Sequence, residues 1–532
     1  MPSTQGAAHV ELTPLRFLER ASTVFPDRIA IVDGPRRITY REFASETTRL
    51  ANAFVASGIE PGSRVAYLCP NTAELLIAHF AVPLAGAVLV AINTRLAPDE
   101  VRYICDHAGA RMLVVDHSLL PTVEAIEEPF AFVDEVVAIG AEATGRLRYD
   151  ELLARGSDDA RDWNVEDERA TITINYTSGT TGLPKGVMYT HRGAYLNAVG
   201  EVIHNQHSSQ SVYLWTLPMF HCNGWCMTWG VTAAAGRHIC MPAIRGEEMW
   251  RLIEEEGVTH LSGAPIVHST LVDSSAGKQL PGRLVATIAG APPSPTIIEA
   301  LEAMGADLIH VYGLTETYGP YTICERQEHW SELDGPSRAR LLARQGVGMV
   351  QAERARVVDP EMNDVPADGA TMGEIVMRGN NVMKGYFGDD EATAGAFEGG
   401  WFHSGDLGVM HPDGYIQLLD RAKDVIISGG ENIATVEVEQ ALLRHKAVAD
   451  VAVVGIPDPK WGEVPKAFVV LRGGAEADEA DLISFARDQI AHFKAPKSVE
   501  LVAELPRTTT GKVQKFELRE REWAAYDARV KG

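Results

Sequence analysis

Cysteine, positive charge and long apolar runs are what this 532-residue chain has little of. Its six cysteines, Cys69, Cys105, Cys222, Cys226, Cys240 and Cys324, are too scattered for a disulfide framework and fit reduced thiols better. The run His221-Cys-Asn-Gly-Trp-Cys226 has a faintly metal-like pair, but no second pair follows and zinc is set aside. Lys and Arg number 48 against 72 Asp and Glu, giving a formal charge of −24. Nucleic acid is therefore a poor bulk partner, because its phosphates would be repelled. No run reaches the ~18 apolar residues of a membrane helix. The first residues lack a basic region followed by an apolar core, so no signal peptide is expected and the expected location is cytoplasmic.

What is present is an ordinary globular composition, 45% hydrophobic and 23% charged, at a length that suggests roughly two to four units. Over residues 12 to 140, short apolar strands alternate with longer amphipathic stretches. Arg28–Asp33, Arg64–Cys69, Ala87–Ala91 and Met112–Asp116 read as strands; Tyr40–Ser57, Asn71–Leu84 and Pro98–His107 read as helices. Such alternation predicts a layered α/β domain with a mainly parallel sheet. From about 346 to 420, glycines, prolines and short strands predict a β-rich subdomain. At Asp420-Arg-Ala-Lys-Asp424 the chain becomes strongly charged and a compact α+β pattern follows. The expected organisation is a large N-terminal α/β domain with several subdomains over residues 1–421, and a small α+β domain over 422–532.

The densest chemistry lies in Tyr176-Thr-Ser-Gly-Thr-Thr-Gly-Leu-Pro-Lys-Gly-Val187. The β-branched residues before it, Thr171–Asn175, read as a strand, and Thr190 to about Asn205 reads as a capped helix. A strand that opens into glycines, hydroxyls and a lysine is laid out as a phosphate cradle: backbone N–H groups approach closely, hydroxyls donate, and the lysine adds charge. It is no P-loop, since Pro184 stands where glycine is required and Gly186 where Ser or Thr is required.

This run closely resembles the signature of the adenylate-forming superfamily, which includes acyl-CoA synthetases, luciferases and peptide-synthetase adenylation domains. Further runs match in the same order, so the resemblance covers nearly the whole chain. It implies that Thr177, Ser178, Gly179, Thr180, Thr181, Gly182 and Lys185 embrace the β- and γ-phosphates of ATP. Tyr312-Gly313-Leu-Thr315-Glu316-Thr317 resembles the second nucleotide motif, with Thr315 a phosphate donor. A carboxylate beside phosphates needs a cation between them, so Glu316 reads as a Mg²⁺ ligand. Gly290-Ala291-Pro292 resembles the segment against adenine, with Tyr312 on its other side. Asp406 occupies the place of the ribose-binding acid, and Arg421 faces the same ribose and phosphate.

Leu505-Pro-Arg-Thr-Thr-Thr-Gly-Lys512 resembles the C-terminal lysine motif. Bringing a carboxylate against an α-phosphate sets anion against anion, and Lys512 would offset that repulsion and stabilise the transition state. In relatives the position of Lys423 is the hinge of a mobile C-terminal domain. After rotation the Ser428-Gly429-Gly430-Glu431 loop enters the site, with Glu463 on the same coenzyme A side.

Pro218–Trp229 is expected to line the acyl pocket, with His221 where amino-acid-activating relatives carry an Asp. An uncharged tail is therefore expected; Trp225 and Trp229 either limit its length or belong to the core. The run resembles short/medium-chain acyl-CoA synthetases, among them the 3-methylmercaptopropionate-CoA ligases. The resulting expectation is an acid–thiol ligase using ATP, Mg²⁺ and coenzyme A. A stand-alone adenylation enzyme loading a carrier protein, a luciferase-like oxygenase and a non-catalytic nucleotide-binding protein are the alternatives. A homodimer is carried from relatives by analogy.

Overall fold

The structure, a computed structural model, describes residues 9–524 apart from 141–145, 178–182, 292, 294, 422, 429–430, 459 and 508–512. Two large sheets build the N-terminal part. The first has eight strands. Its parallel body runs Thr171–Tyr176, Val88–Ala91, Arg64–Leu68, Ala110–Asp116, Glu135–Ile139 and Leu147–Arg148. Gly186–Thr190 and Gly385–Tyr386 extend it antiparallel at one edge. The second has nine strands, with Ala306–Leu314, Leu284–Ile288, His260–Gly263, Val212–Leu214, Arg237–Cys240 and Ile29–Asp33 parallel at its centre. The mainly parallel α/β reading is thus right, with antiparallel pairs at the edges.

The helix Ala73–Leu84 joins the two sheets, packing against strands of both. All twelve of its residues are buried, which fits its nearly unbroken apolar sequence. Thr72 caps it, its hydroxyl accepting from the Leu75 N–H. The neighbouring helix Tyr40–Ala56 starts with a reciprocal capping box between Thr39 and Glu42. Phe43, Leu50, Ala53 and Phe54 point inward together, the shared face that their spacing predicts.

Residues 356–421 form a four-stranded antiparallel sheet, Arg356–Val358, Met372–Met377, Phe402–Met410 and Ile416–Arg421, where the Gly/Pro-rich texture predicts a β subdomain. The small C-terminal unit carries a five-stranded sheet flanked by the helices Thr435–Leu443, Glu479–Gln489 and Lys515–Trp523. It buries its own core, including Ile426, Val438, Leu442, Val453 and Leu482. A polar junction ties it to the strand Ile416–Arg421: Asp420 accepts from the Thr435 backbone N–H at 2.6 Å, and Lys515, paired with Glu439 at 2.8 Å, donates to the Thr435 hydroxyl.

The helix expected from Thr190 is present, but a strand that the sequence reading does not contain precedes it. The phosphate-cradle loop closes a β-hairpin, because Gly186–Thr190 is itself a strand paired antiparallel with Thr171–Tyr176, and the helix His191–His204 starts only after it. Thr190 still caps that helix through the Gly193 N–H. Ser428 and Glu431 likewise face each other across a hairpin between Ile426–Ser428 and Glu431–Ile433.

Candidate active site

The site gathers where strand ends of both large sheets meet the small antiparallel sheet. The strand Ala306–Leu314 delivers Tyr312 and Gly313 and ends in the short turn Thr315–Thr317. Gly313 lies against the Gly319 carbonyl so closely that a Cβ would stand 1.9 Å from it, so no other residue fits. Tyr189, on the second arm of the hairpin, donates its hydroxyl to the Thr315 carbonyl at 2.6 Å and stacks on Tyr318 at 3.9 Å. The Tyr318 hydroxyl in turn accepts from the Thr190 N–H at 2.7 Å. These rings lock the first nucleotide motif to the second.

Asp406 and Arg421 face each other across paired strands of the small sheet. The buried Asp406 accepts from the Tyr312 hydroxyl at 2.7 Å through Oδ2, and the Arg421 Nε lies 3.2 Å from Oδ1. Oδ1 accepts no hydrogen bond from the described residues, so it has lone pairs for a further donor. Burial beside Asp406 pushes the Tyr312 hydroxyl well above its ordinary pKa, so it stays a donor. Gly290 turns with φ +86° after the strand Leu284–Ile288 and leaves Ala291 exposed.

Glu316 is enclosed. Its Oε1 accepts from the Tyr386 hydroxyl at 3.0 Å, and its carbonyl accepts from the Met383 N–H at 2.7 Å. Burial raises its pKa, against the donor from Tyr386 and the charge of Arg421. Among the described residues no group of three or more His, Cys, Asp or Glu side chains forms a metal site. Magnesium that arrives with nucleotide phosphates needs one or two carboxylates, which Glu316 meets. Lys185 is exposed and sits 4.9 Å from the centroid of the Tyr386 ring. Thr177 closes the neck of the loop, its N–H donating to the Lys185 carbonyl at 3.0 Å.

The acyl-pocket run takes an unusual backbone. Cys222, Asn223, Gly224, Trp225 and Cys226 have φ of 51°, 52°, 59°, 53° and 61°, five consecutive left-handed residues. Each non-glycine one costs roughly 1–2 kcal/mol, and such strain concentrates at functional sites. Gly224 is required because a Cβ would stand 2.4 Å from Trp215. The turn lays Trp225 over Gly319, whose Cα leaves no space for a methyl: a Cβ would be 2.7 Å from the indole. Trp229 falls in the right-handed helix beyond, fully buried, its indole N–H donating to the His79 carbonyl. Both tryptophans pack in the same buried core, and Trp225 is the one that meets Gly319 next to the second motif. Burial lowers the His221 pKa to about 4, which leaves the ring neutral near pH 7. It raises the Cys222 thiol to about 12, so the thiol stays protonated near pH 7.

Ser178, Gly179, Thr180, Thr181, Gly182, Pro292, Gly429, Gly430 and Lys512 lie outside the described residues. Lys423 occupies an exposed turn between the strand Ile416–Arg421 and the C-terminal sheet. Glu463 folds over Gly455, and burial raises its pKa against a hydrogen bond from the Ile427 N–H. The structure thus brings Thr177, Lys185, Tyr312, Thr315, Glu316, Asp406 and Arg421 into one connected set through Tyr189, Tyr318 and Tyr386. Sequence reasoning missed those three tyrosines. The available signals were Tyr318 directly after the second motif and Tyr386 within the glycine-bracketed Lys384-Gly-Tyr-Phe-Gly388.

Residues 18–387 match the AMP-binding enzyme family, and residues 437–512 match the AMP-binding enzyme C-terminal domain. The 4-hydroxybutyrate–CoA ligase 2 of Metallosphaera sedula is 43% identical over 97% of this chain and 95% of its own length. The acetate–CoA ligase CCL3 of Humulus lupulus is also 43% identical, over 97% and 95%. The O-succinylbenzoate coenzyme A synthetase MenE of Bacillus subtilis, solved in complex with ATP and magnesium ion, superposes with a TM-score of 0.80 at 27% identity, covering 94% of this chain and 98% of that one. The chain belongs to the AMP-binding enzyme family, within the adenylate-forming superfamily, and is an AMP-forming acyl-CoA synthetase.

Proposed function

We propose that this ligase activates a short or medium-chain, uncharged carboxylic acid, 3-methylmercaptopropionate among them. The observation that carries the reading is Trp225 lying over Gly319, with a neutral His221 four residues earlier in the same run. An indole on a glycine shortens the acyl end of the site, and a neutral ring offers no charge to an ionised tail. Relatives named for acetate and 4-hydroxybutyrate fit that size. A thioether and an alkyl tail of equal length differ little to an apolar pocket.

In the first step a carboxylate oxygen attacks the α-phosphorus of ATP and pyrophosphate leaves. Asp406, with Tyr312 and Arg421 beside it, binds the ribose hydroxyls; Gly290, Ala291 and Pro292 bound the adenine. Residues 177–182 and Lys185 steady the outer phosphates, and Thr315 donates to them. Glu316 would hold the magnesium that arrives with ATP, which would supply positive charge beside the phosphates. Lys512 stabilises the charge at the α-phosphate. In the second step the thiol sulfur of coenzyme A attacks the acyl carbonyl and AMP leaves. The boundary lies at 421/422, and rotation about Lys423 removes Lys512 and brings in Ser428, Gly429, Gly430, Glu431 and Glu463. Among the described residues no helix is long and apolar enough to cross a membrane. The cytoplasmic location and the homodimer remain part of the same proposal.

The test is a panel of acids from acetate to octanoate, with 3-methylmercaptopropionate, benzoate and cinnamate, supplied with ATP, magnesium and coenzyme A. AMP and acyl-CoA are measured. The highest kcat/KM is expected for short and medium-chain acids, of roughly three to six chain atoms. A preference for octanoate or an aromatic acid would overturn the assignment.

A further inference from the structure

Lys185 and Glu316 carry opposite charges in one site, and each must stay turned toward the nucleotide. Left to themselves, an ammonium and a carboxylate at such close quarters would pair with each other. The structure gives each another partner, and it is the same residue. The Tyr386 ring faces the Lys185 ammonium at 4.9 Å, and the Tyr386 hydroxyl donates to Glu316 Oε1 at 3.0 Å.

Tyr386 is well fixed for this. It forms, with Gly385, a two-residue strand against Gly186–Thr190, in register with Val187. The Lys384 and Phe387 N–H groups donate to the Met188 and Gly186 carbonyls at 2.9 and 2.7 Å, so the segment is stitched to the strand that follows Lys185. The Tyr386 N–H donates to the Thr393 hydroxyl at 2.9 Å. Gly385 has φ +149°, and a Cβ there would meet Thr393 at 2.9 Å, so glycine admits that anchor. Three residues earlier the Met383 N–H holds the Glu316 carbonyl. One short segment therefore grips both the backbone and the side chain of Glu316 while presenting an aromatic face to Lys185.

We propose that Tyr386 is a positioning residue that holds Lys185 and Glu316 apart, its face engaging the ammonium and its hydroxyl the carboxylate, so that phosphate and magnesium each find an unpaired charge. Both halves of the tyrosine are needed. A phenyl ring keeps the cation–π contact and loses the carboxylate donor; an aliphatic side chain loses both. The inference rests on the roles given above to Lys185 and Glu316.

The experiment measures ATP binding by calorimetry, with magnesium and with EDTA, for the full chain and for Tyr386→Phe, Tyr386→Leu, Lys185→Met, Glu316→Gln and Lys185→Met/Tyr386→Leu. Thermal unfolding is followed alongside. The Tyr386→Phe variant should bind ATP in EDTA within about twofold of the parent, yet lose about fivefold or more of the gain that magnesium brings. The Tyr386→Leu variant should weaken binding in EDTA as well. In the Lys185→Met background, Tyr386→Leu should cost nothing further in EDTA. Equal losses for Phe and Leu, or a Leu effect in EDTA that is undiminished without Lys185, would overturn the proposal. If Glu316→Gln lowers the magnesium gain while Tyr386→Phe does not, the tyrosine role alone fails. If Glu316→Gln leaves that gain intact, the magnesium assignment falls and takes the hydroxyl half of the proposal with it.

Discussion

The Tyr312 hydroxyl donates to Asp406 Oδ2 at 2.7 Å, joining the end of a parallel strand to the small antiparallel sheet across 94 positions of sequence. That bond holds the proposed ribose acid against a surface proposed for adenine. Removing the hydroxyl leaves a buried carboxylate short of a donor, a loss of about 1–3 kcal/mol. Tyr312→Phe is expected to weaken ATP binding about tenfold, and Asp406→Ala more. Calorimetric titration with ATP checks both; an unchanged affinity for Tyr312→Phe would detach the pair from the nucleotide.

Trp225 sets the second expectation. Replacing it with alanine should move the acyl preference toward longer acids by two or more carbons, with adenylate formation on the original acids reduced less than that on long acids rises. The acid panel reads this directly. An unaltered chain-length profile would make the indole a packing residue.

Lys512→Ala should separate the two half-reactions. Adenylate formation, followed by pyrophosphate release, should fall by about 10² to 10³. Conversion of supplied acyl-adenylate with coenzyme A should survive. Equal loss in both assays would contradict the role proposed for this lysine.

Stability should depend on pH through Glu201. This fully buried side chain accepts from the Asn205 amide at 2.8 Å, has no cation in contact among the described residues, and burial raises its pKa to about 8. An unfolded glutamate titrates near 4.3. Between those values the folded chain holds a proton that the unfolded chain releases, so stability falls as pH rises through this window and levels off above it. At about 1.4 kcal/mol per pKa unit the loss is on the order of several kcal/mol. Glu201→Gln should unfold at a higher temperature than the parent at pH 8 and at a similar one at pH 4.5. The same difference at both pH values would show that the carboxyl proton is not involved.

The layered fold was legible in the sequence, and so was the grouping of Tyr312, Glu316, Asp406 and Arg421. Alternating apolar segments marked the parallel strands, and the ordered motifs pointed to residues that the structure brings to one place. The hairpin was not legible, because Gly186-Val-Met-Tyr-Thr190 is short and begins with glycine, so it merged into the loop. The handedness of residues 222–226 was not legible either. Cys-Asn-Gly-Trp-Cys contains a single glycine, and four other residues adopt a conformation that local propensity disfavours. That reversal is why Trp225 and Trp229, four apart, do not share a face as they would on one continuous helix. Tyr386 was missed because its two charged neighbours lie 201 and 70 positions away.

The left-handed turn also restricts how the acyl range can diverge. Positions 222, 223, 225 and 226 admit few residue types: β-branched side chains are excluded by the backbone, and glycine and asparagine are the least penalised. Natural or laboratory variation that enlarges the site by point changes within this turn therefore draws on a narrow alphabet. The freer route to new substrates runs through right-handed residues outside this turn.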